Sequence, residues 1–319
     1  MKIITDTESL KLLCKEFSKA PYITLDTEFI REKTFFARLC LIQIACPGDE
    51  AIIDPLSENI DLNPFYKLLK NSKLMKVMHG SKQDIEIFNQ EAGIIPAPLM
   101  DTQIMAMVCG FGDSASYEAL TRQLANKKID KTSRFTDWGH RPLSEKQLEY
   151  ALGDVTYLRE IYEKLLEQIT HNKRMSWIEE EIATLLDKKS YCQDPKSAWK
   201  RLKLRNLKSR QLGVFIELAQ WRESCAQSRN IPRNWVLKEE ALTELARQAP
   251  ESLSSLSRCR AVPKSFAQNP KAHNLIAAIK RGVAKKEEDL PKLPSSPDKK
   301  PGTAPLTKML KLFMDQCCE

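Results

Sequence analysis

Apolar positions along the first 170 residues switch between a period of two and a period of 3.6. Residues 22–29 (YITLDTEF) and 38–45 (RLCLIQIA) are rich in β-branched and aromatic side chains alternating with polar ones, and 51–54 (AIID) is short and apolar. These three runs predict a strand meander. Residues 59–69 have helical spacing, 74–78 (LMKVM) read as a further strand, and His79-Gly80 is a turn before a helix over 81–91. Asp101 is a good N-cap for a helix to about residue 109. Residues 116–125 read as helical and 127–142 as irregular. The clearest start signal is the capping box Ser144-Glu145-Lys146-Gln147. Behind it Leu148, Ala151, Leu152, Val155, Leu158, Ile161, Tyr162 and Leu165 keep helical register for about six turns.

Beyond residue 170 no convincing strand pattern remains. Residues 173–190 continue as a charged helix, Asp194-Pro195 breaks it, and 211–226, 238–248 and 269–286 each have helical apolar spacing. Five prolines with Ser, Lys and Asp between 287 and 305 have linker composition. The pattern therefore predicts an α/β domain with a mixed sheet over 1–170, a basic helical connector over 171–207 and an all-helical module over 208–286. A linker over 287–305 leads to the start of an incomplete second helical module over 306–319. Trp221 and Trp235 are expected in the core of the helical module.

Composition narrows the class. In 319 residues 42% are apolar, enough for a substantial core. No window approaches the ~20 apolar residues of a membrane span. The opening MKIITDTESL has acids where a signal peptide would have its apolar run, so a cytoplasmic protein with no membrane partner is expected. Nine scattered cysteines without a CxxC pair, with four histidines, argue against a zinc site or a disulfide framework. Net charge is +8 but unevenly spread: residues 1–170 hold 21 basic and 25 acidic side chains, a net of −4, and 171–319 hold 29 and 17, a net of +12. A basic second part suits a polyanion, and it equally suits a solvated basic surface.

Three acidic features stand out in the first part. Asp26-Thr27-Glu28 lies in a strand, so both carboxylates share a face and raise each other's pKa unless a cation sits between them. Alone, the same string describes a solvated sheet edge. Asp84 follows the His79-Gly80-Ser81 turn, where Ser81 as N-cap with an acid at N3 is also an ordinary helix start. Tyr150 and Asp154, four apart on the long helix, share a face and could simply hydrogen-bond at the surface. Taken together, four carboxylates and a tyrosine in this order can hold two divalent ions, Mg²⁺ or Mn²⁺, for phosphodiester hydrolysis, the tyrosine hydroxyl orienting water.

ITLDTEF, VMHGSKQDIEIF and LEYALGDVTYL resemble the three exonuclease motifs of the DEDD superfamily in its tyrosine-containing branch. FFARLCLIQIA, MDTQIMA and DWGHRPLSEKQLEYALGDV are similar to the ribonuclease D family within it, and FIELAQWRESCAQSRNIPRNWVLKEEALTELA to its HRDC helical module. The resemblance spans about residues 3–285. It implies an RNase H-like exonuclease domain followed by an all-helical HRDC module, and a metal-dependent 3′ to 5′ exoribonuclease that trims tRNA precursors and releases nucleoside 5′-monophosphates. Asp26, Glu28 and Asp154 would hold the first of two ions, Asp26 would bridge to the second, Asp84 would support that one, and Tyr150 would position water. Gln43 and His79 are candidate substrate contacts, with a core or loop role as the alternative. Many members carry two HRDC modules, whereas this chain stops within what would be the second.

Residues 196–210 (KSAWKRLKLRNLKSR) hold seven basic side chains and no acid. Trp199, Lys200, Arg201, Lys203 and Arg205 are therefore candidate RNA contacts, the tryptophan either stacking on a base or packing between domains. The leading expectation is an exoribonuclease acting on RNA, chiefly tRNA precursors, as a monomer. Its rivals are a DNA 3′ to 5′ exonuclease using the same acids and a non-catalytic RNA-binding scaffold.

Overall fold

The computed structural model describes residues 1–204, 207–263, 266, 268–292 and 302–318. Six strands form one mixed sheet: β1 (Ile3–Ile4), β2 (Tyr22–Ile30), β3 (Arg38–Cys46), β4 (Asp49–Ile53), β5 (Met75–Met78) and β6 (Leu99–Asp101), in the order β1-β4-β3-β2-β5-β6. The expected meander is β2-β3-β4, paired antiparallel, while β2-β5, β5-β6 and β1-β4 are parallel. β1, β6 and the first helix have no counterpart in the sequence pattern; two- and three-residue strands are too short to show a period.

Strand alternation divides the helices into two layers. Ile23, Leu25 and Thr27 of β2 face one side of the sheet, where α1 (Thr7–Phe17), α2 (Asn63–Leu69) and α3 (Lys82–Ala92) close a core through Leu10, Phe17, Phe65, Ile85 and Phe88. Tyr22, Thr24, Asp26 and Glu28 face the other side. There α4 (Thr102–Val108), α5 (Tyr117–Leu124), α6 (Glu145–His171) and α7 (Met175–Leu186) pack around Val77, Met105, Leu120, Leu158 and Leu165. The capping box at Ser144 forms as the sequence indicates.

Within residues 209–284 the described elements are helical: α8 (Ser209–Ser228), α9 (Arg233–Val236), α10 (Glu239–Gln248), α11 (Leu253–Ser257) and α12 (Lys271–Ala284). Their core gathers Phe215, Leu218, Leu242, Leu245, Leu275 and Ile279. α8 and α12 cross backbone against backbone, since a Cβ added to Gly282 would lie 2.4 Å from Val214 Cα. Trp221 is 8% exposed, as expected of core, but Trp235 is 62% exposed: its four-residue helix lies at the rim of the module and has no buried residue.

The stretch 171–207 is not one body. α7 and Tyr191 pack on the first domain's cores, whereas Trp199, Leu202 and Leu204 pack on the helical core. Of the expected linker, 293–301 lies outside the described residues. The final helix, α13 (Thr303–Cys318), is longer than its apolar run and leaves Leu306, Met309, Leu310 and Phe313 exposed. No helix among the described residues is long and apolar enough to cross a membrane. The described cysteines are free thiols.

Candidate active site

Asp26, Glu28 and Asp154 each place a carboxylate oxygen within 4.8 Å of the others. Two of them come from alternate positions of β2 and the third from α6, which covers that face of the sheet. Two polar ties hold the helix to the site. Thr24 Oγ1 donates to the carbonyl of Val155 at 2.8 Å, and the Tyr117 hydroxyl donates to the carbonyl of Gly153 at 2.8 Å. Both bonds grip the turn that presents Asp154. A third link, from the Tyr22 hydroxyl to Glu163, holds the helix further along.

Asp84 stands just outside this triplet. Its carboxylate, 6% exposed, accepts a hydrogen bond from the Thr27 hydroxyl, which alternation turns away from Asp26 and Glu28. Ser81 is not the side-chain cap its position suggests: its hydroxyl donates to Asp101 Oδ2 at 2.8 Å. Asp101 also accepts from the backbone N–H groups of Gly80, Ser81 and Gln103 at 2.8–2.9 Å. One buried carboxylate thus pins the start of both α3 and α4. Gly80, at φ +61°, makes the turn. Asp84 stands in the first turn of the helix that this turn begins, near enough for its charge to raise Asp26 and Glu28.

Electrostatics marks the cluster as strained without a cation. Burial, then repulsion from Asp84, Asp154 and Glu28, pushes the Asp26 carboxyl well above its ordinary value. Burial first, then Asp154 and Asp84, pushes Glu28 up to about 9. Burial raises Asp154 to about 7 against a hydrogen bond from Tyr150 and the charge of Arg134, and raises Asp84 to about 7 against the hydrogen bond from Thr27. Burial and the neighbouring acids push the Tyr150 hydroxyl upward too, so it keeps its proton at neutral pH. Convergent hard oxygens that repel one another are a donor set that fits hard divalent cations.

These side chains open into a cavity of about 310 Å³ lined by Asp26, His79, Tyr117, Arg134, Tyr150 and Asp154 among others. His79, a candidate substrate contact from sequence, is among its lining residues, with Nδ1 2.9 Å from Thr102 Oγ1 and its imidazole pushed below its ordinary value by burial. Gln43 lies directly across from Asp26 in the sheet but is fully buried and off the cavity lining, its amide nitrogen and oxygen unpartnered. Sequence reasoning passed over Thr24, Thr27, Asp101, Tyr117 and Arg134. Thr24, Thr27 and Asp101 carried a usable signal, lying inside motifs already singled out; Tyr117 and Arg134 are given their place by tertiary contacts alone.

The basic stretch falls elsewhere. Trp199 packs on the helical core, and Arg201 Nη2 lies 2.6 Å from Glu223, which is 1% exposed and also binds Arg233 at 2.6 Å. Lys200 and Lys203 are exposed, and Arg205 lies outside the described residues. None of Trp199, Lys200, Arg201 and Lys203 lines the carboxylate cavity. The helical part has a different basic surface: a groove of about 690 Å³ lined by Trp221, Trp235, Phe266, Arg229, Lys238, Arg260 and Lys271, with no acid among its described lining residues.

Comparison with known proteins agrees with this geometry. Residues 1–170 match the family model described as a 3′-5′ exonuclease, and 211–279 match that described as an HRDC domain. The chain is 45% identical to ribonuclease D of Jannaschia sp. (strain CCS1), over 98% of its own length and 82% of the relative's. It is 46% identical to ribonuclease D of Bartonella henselae, over 94% and 73%. The crystal structure of Escherichia coli RNase D, described as an exoribonuclease involved in structured RNA processing, superimposes with a TM-score of 0.87 at 31% identity, covering 99% of this chain and 84% of that one.

Proposed function

The chain belongs to the ribonuclease D family and is a 3′ to 5′ exoribonuclease, and we propose that it trims the 3′ extensions of tRNA precursors, releasing nucleoside 5′-monophosphates with two divalent ions. The observation that carries the chemistry is the convergence of Asp26, Glu28 and Asp154 within 4.8 Å beside a protonated Tyr150. Asp26, Glu28 and Asp154 would hold one ion, and Asp26 with Asp84 the other. Bound there, the pair supplies charge neutralisation at the attacking and leaving oxygens of the phosphodiester.

The chain's own residues do the positioning. The Tyr150 hydroxyl lies beside Asp154, and its oxygen lone pairs can accept a hydrogen bond from the attacking water and fix its direction. It is an orienting group and not a base, because its proton does not leave near neutral pH. Thr27 occupies one side of the Asp84 carboxylate and so sets which oxygen is free. Thr24 and Tyr117 keep the Asp154 turn of α6 seated on β2.

We assign the body of the RNA to the basic groove of the helical module, where Trp235 offers an open ring among four cations. The test is a 5′-labelled tRNA precursor with a short 3′ extension, assayed beside the matching DNA. Stepwise shortening of the RNA with Mg²⁺ or Mn²⁺, stopped by chelator and by Asp26→Ala, is expected. An intact precursor under both metals would overturn the substrate assignment, and equal turnover of the DNA would overturn the restriction to RNA.

A further inference from the structure

Residues 126–143 join α5 to α6 and contribute Ile129 and Arg134 to the carboxylate cavity. This stretch has no regular structure beyond one short 3₁₀ turn, Lys131–Ser133, but it is pinned on both sides of residues 134 and 135. Ser133 is 6% exposed and Trp138 3%. Thr136 Oγ1 donates to the Ser133 carbonyl at 2.7 Å and accepts from Gln147 Nε2 at 3.0 Å, which ties the loop to the first turn of α6. Arg141 adds bonds to the carbonyls of Trp138 and Cys40 and to Asp54 at 2.7–2.8 Å. Between these anchors two large side chains are left outside: Arg134 is exposed and Phe135 is 90% exposed. The Arg134 guanidinium carbon lies 5.2 Å from the centre of the Phe135 ring, so a cation and an aromatic face form one surface beside the cavity.

Charge gives this surface a task. Among the described residues that line the cavity, Asp26, Glu118 and Asp154 are acids, Arg134 is the sole formal cation, and His79 is held neutral by burial. Arg134 lines the cavity together with Asp26, Tyr150 and Asp154, near enough for its charge to act on Glu28, Tyr150 and Asp154. Among the described lining residues Arg134 is thus the group whose charge attracts a phosphodiester brought to the carboxylates. A guanidinium takes two phosphate oxygens through parallel N–H groups, and any base can stack on an aromatic face.

We propose, resting on the nuclease reading above, that Arg134 and Phe135 clamp the 3′ end of the substrate, the guanidinium on a phosphate next to the scissile bond and the ring on a base. The clamp reads phosphate and stacking surface and is indifferent to base identity, as removal of successive nucleotides requires. The rival role for Arg134 is to offset carboxylate repulsion, with no contact to RNA. The two roles differ in sign toward metal. An offsetting cation competes with the ions, so Arg134→Ala would tighten Mn²⁺ binding to the RNA-free enzyme and leave RNA affinity unchanged.

The experiment measures binding and turnover of a short fluorescent single-stranded RNA by the full chain, with Ca²⁺ for binding and Mg²⁺ for turnover, together with Mn²⁺ titration without RNA. Arg134→Ala is expected to raise Kd and KM about tenfold or more, the range for loss of a charged hydrogen bond. It should also lower the salt dependence of binding by about 0.7 in log–log slope, one single-strand phosphate. Arg134→Lys should recover part of the loss. Phe135→Ala should raise Kd about tenfold and Phe135→Trp restore it, as stacking demands. Thermal unfolding of each variant should match the parent. Unchanged RNA affinity with tighter Mn²⁺ binding in Arg134→Ala would overturn the clamp and leave the nuclease assignment intact. If the parent binds RNA but does not shorten it, the nuclease reading fails alone, because the Ca²⁺ binding arm still decides the clamp.

Discussion

At Asp26 the fold holds a carboxylate where its charge is unfavourable. Its folded pKa is raised by burial and by three neighbouring acids; burial is also the largest cause of the raised values of Glu28, Asp84 and Asp154. A carboxyl raised in this way contributes stability that is full below its unfolded value, about 4, and is lost as pH rises through the folded value. The chelated protein should therefore lose stability between pH 5 and pH 9, as Asp84 and Asp154 ionise near 7 and Glu28 near 9. Thermal unfolding with and without Mg²⁺ checks this, the metal flattening the profile. By the same reasoning Asp26→Asn should stabilise the chelated chain, raising its Tm, while removing activity; a lowered Tm would count against the repulsion account. The Mn²⁺ concentration for half-maximal activity should fall from pH 6 to pH 9, since the ions displace protons that leave more readily at high pH. The pairing of Asp26 with Glu28 was legible in the sequence, because strand alternation is local. The position of Asp84 was not: in sequence it is an acid in the first turn of a helix, and it comes near Asp26 and Glu28 only when α3, whose start Asp101 holds, packs beside β2.

Among the elements, the longest patterns were the most readable. α6 carries its own start signal and several turns of apolar register, and β2 and β3 are nine-residue strands whose β-branched and aromatic runs show in sequence over residues 22–29 and 38–45. β1 and β6 escaped because strands of two or three residues gain their structure from parallel neighbours rather than from a pattern of their own. The helix pair α8–α12 shows the same limit: two glycines in helical stretches look like weak helix formers, yet they permit the backbone crossing. Gly282→Ala should therefore destabilise the helical module by about 3 kcal/mol, the upper end of the overpacking range, despite alanine's better propensity. A separate low-temperature transition in calorimetry would report it, and a raised Tm would show that the crossing relaxes without cost.

Over the whole molecule, the charge division turns into geometry. The acidic first part contains the convergent carboxylates, but the most basic run of sequence is divided between packing and ion pairing: Arg201 serves the buried Glu223 and Trp199 the helical core. The open basic surface is the groove around Trp235, assembled from residues between 221 and 271. The two parts meet where Asn230 Oδ1 accepts from the N–H groups of Phe35 and Phe36 and Arg233 covers the Phe35 ring at 4.3 Å, just beyond the strand that carries Asp26 and Glu28. Trp235→Ala should raise KM for a structured tRNA precursor about tenfold, within the cost of one lost stacking contact, and leave KM for a five-nucleotide RNA unchanged; equal effects on both would place the ring at the active site instead. By itself the sequence determined the strand and helix periods, the capping box, the chemistry of the acids and their order, because each depends on neighbours a few residues apart. Which acids share one site, which cations remain free for RNA and which rings stay open were decided by tertiary packing, because contacts between residues up to 141 positions apart arise only when β2, α3 and α6 close on one another.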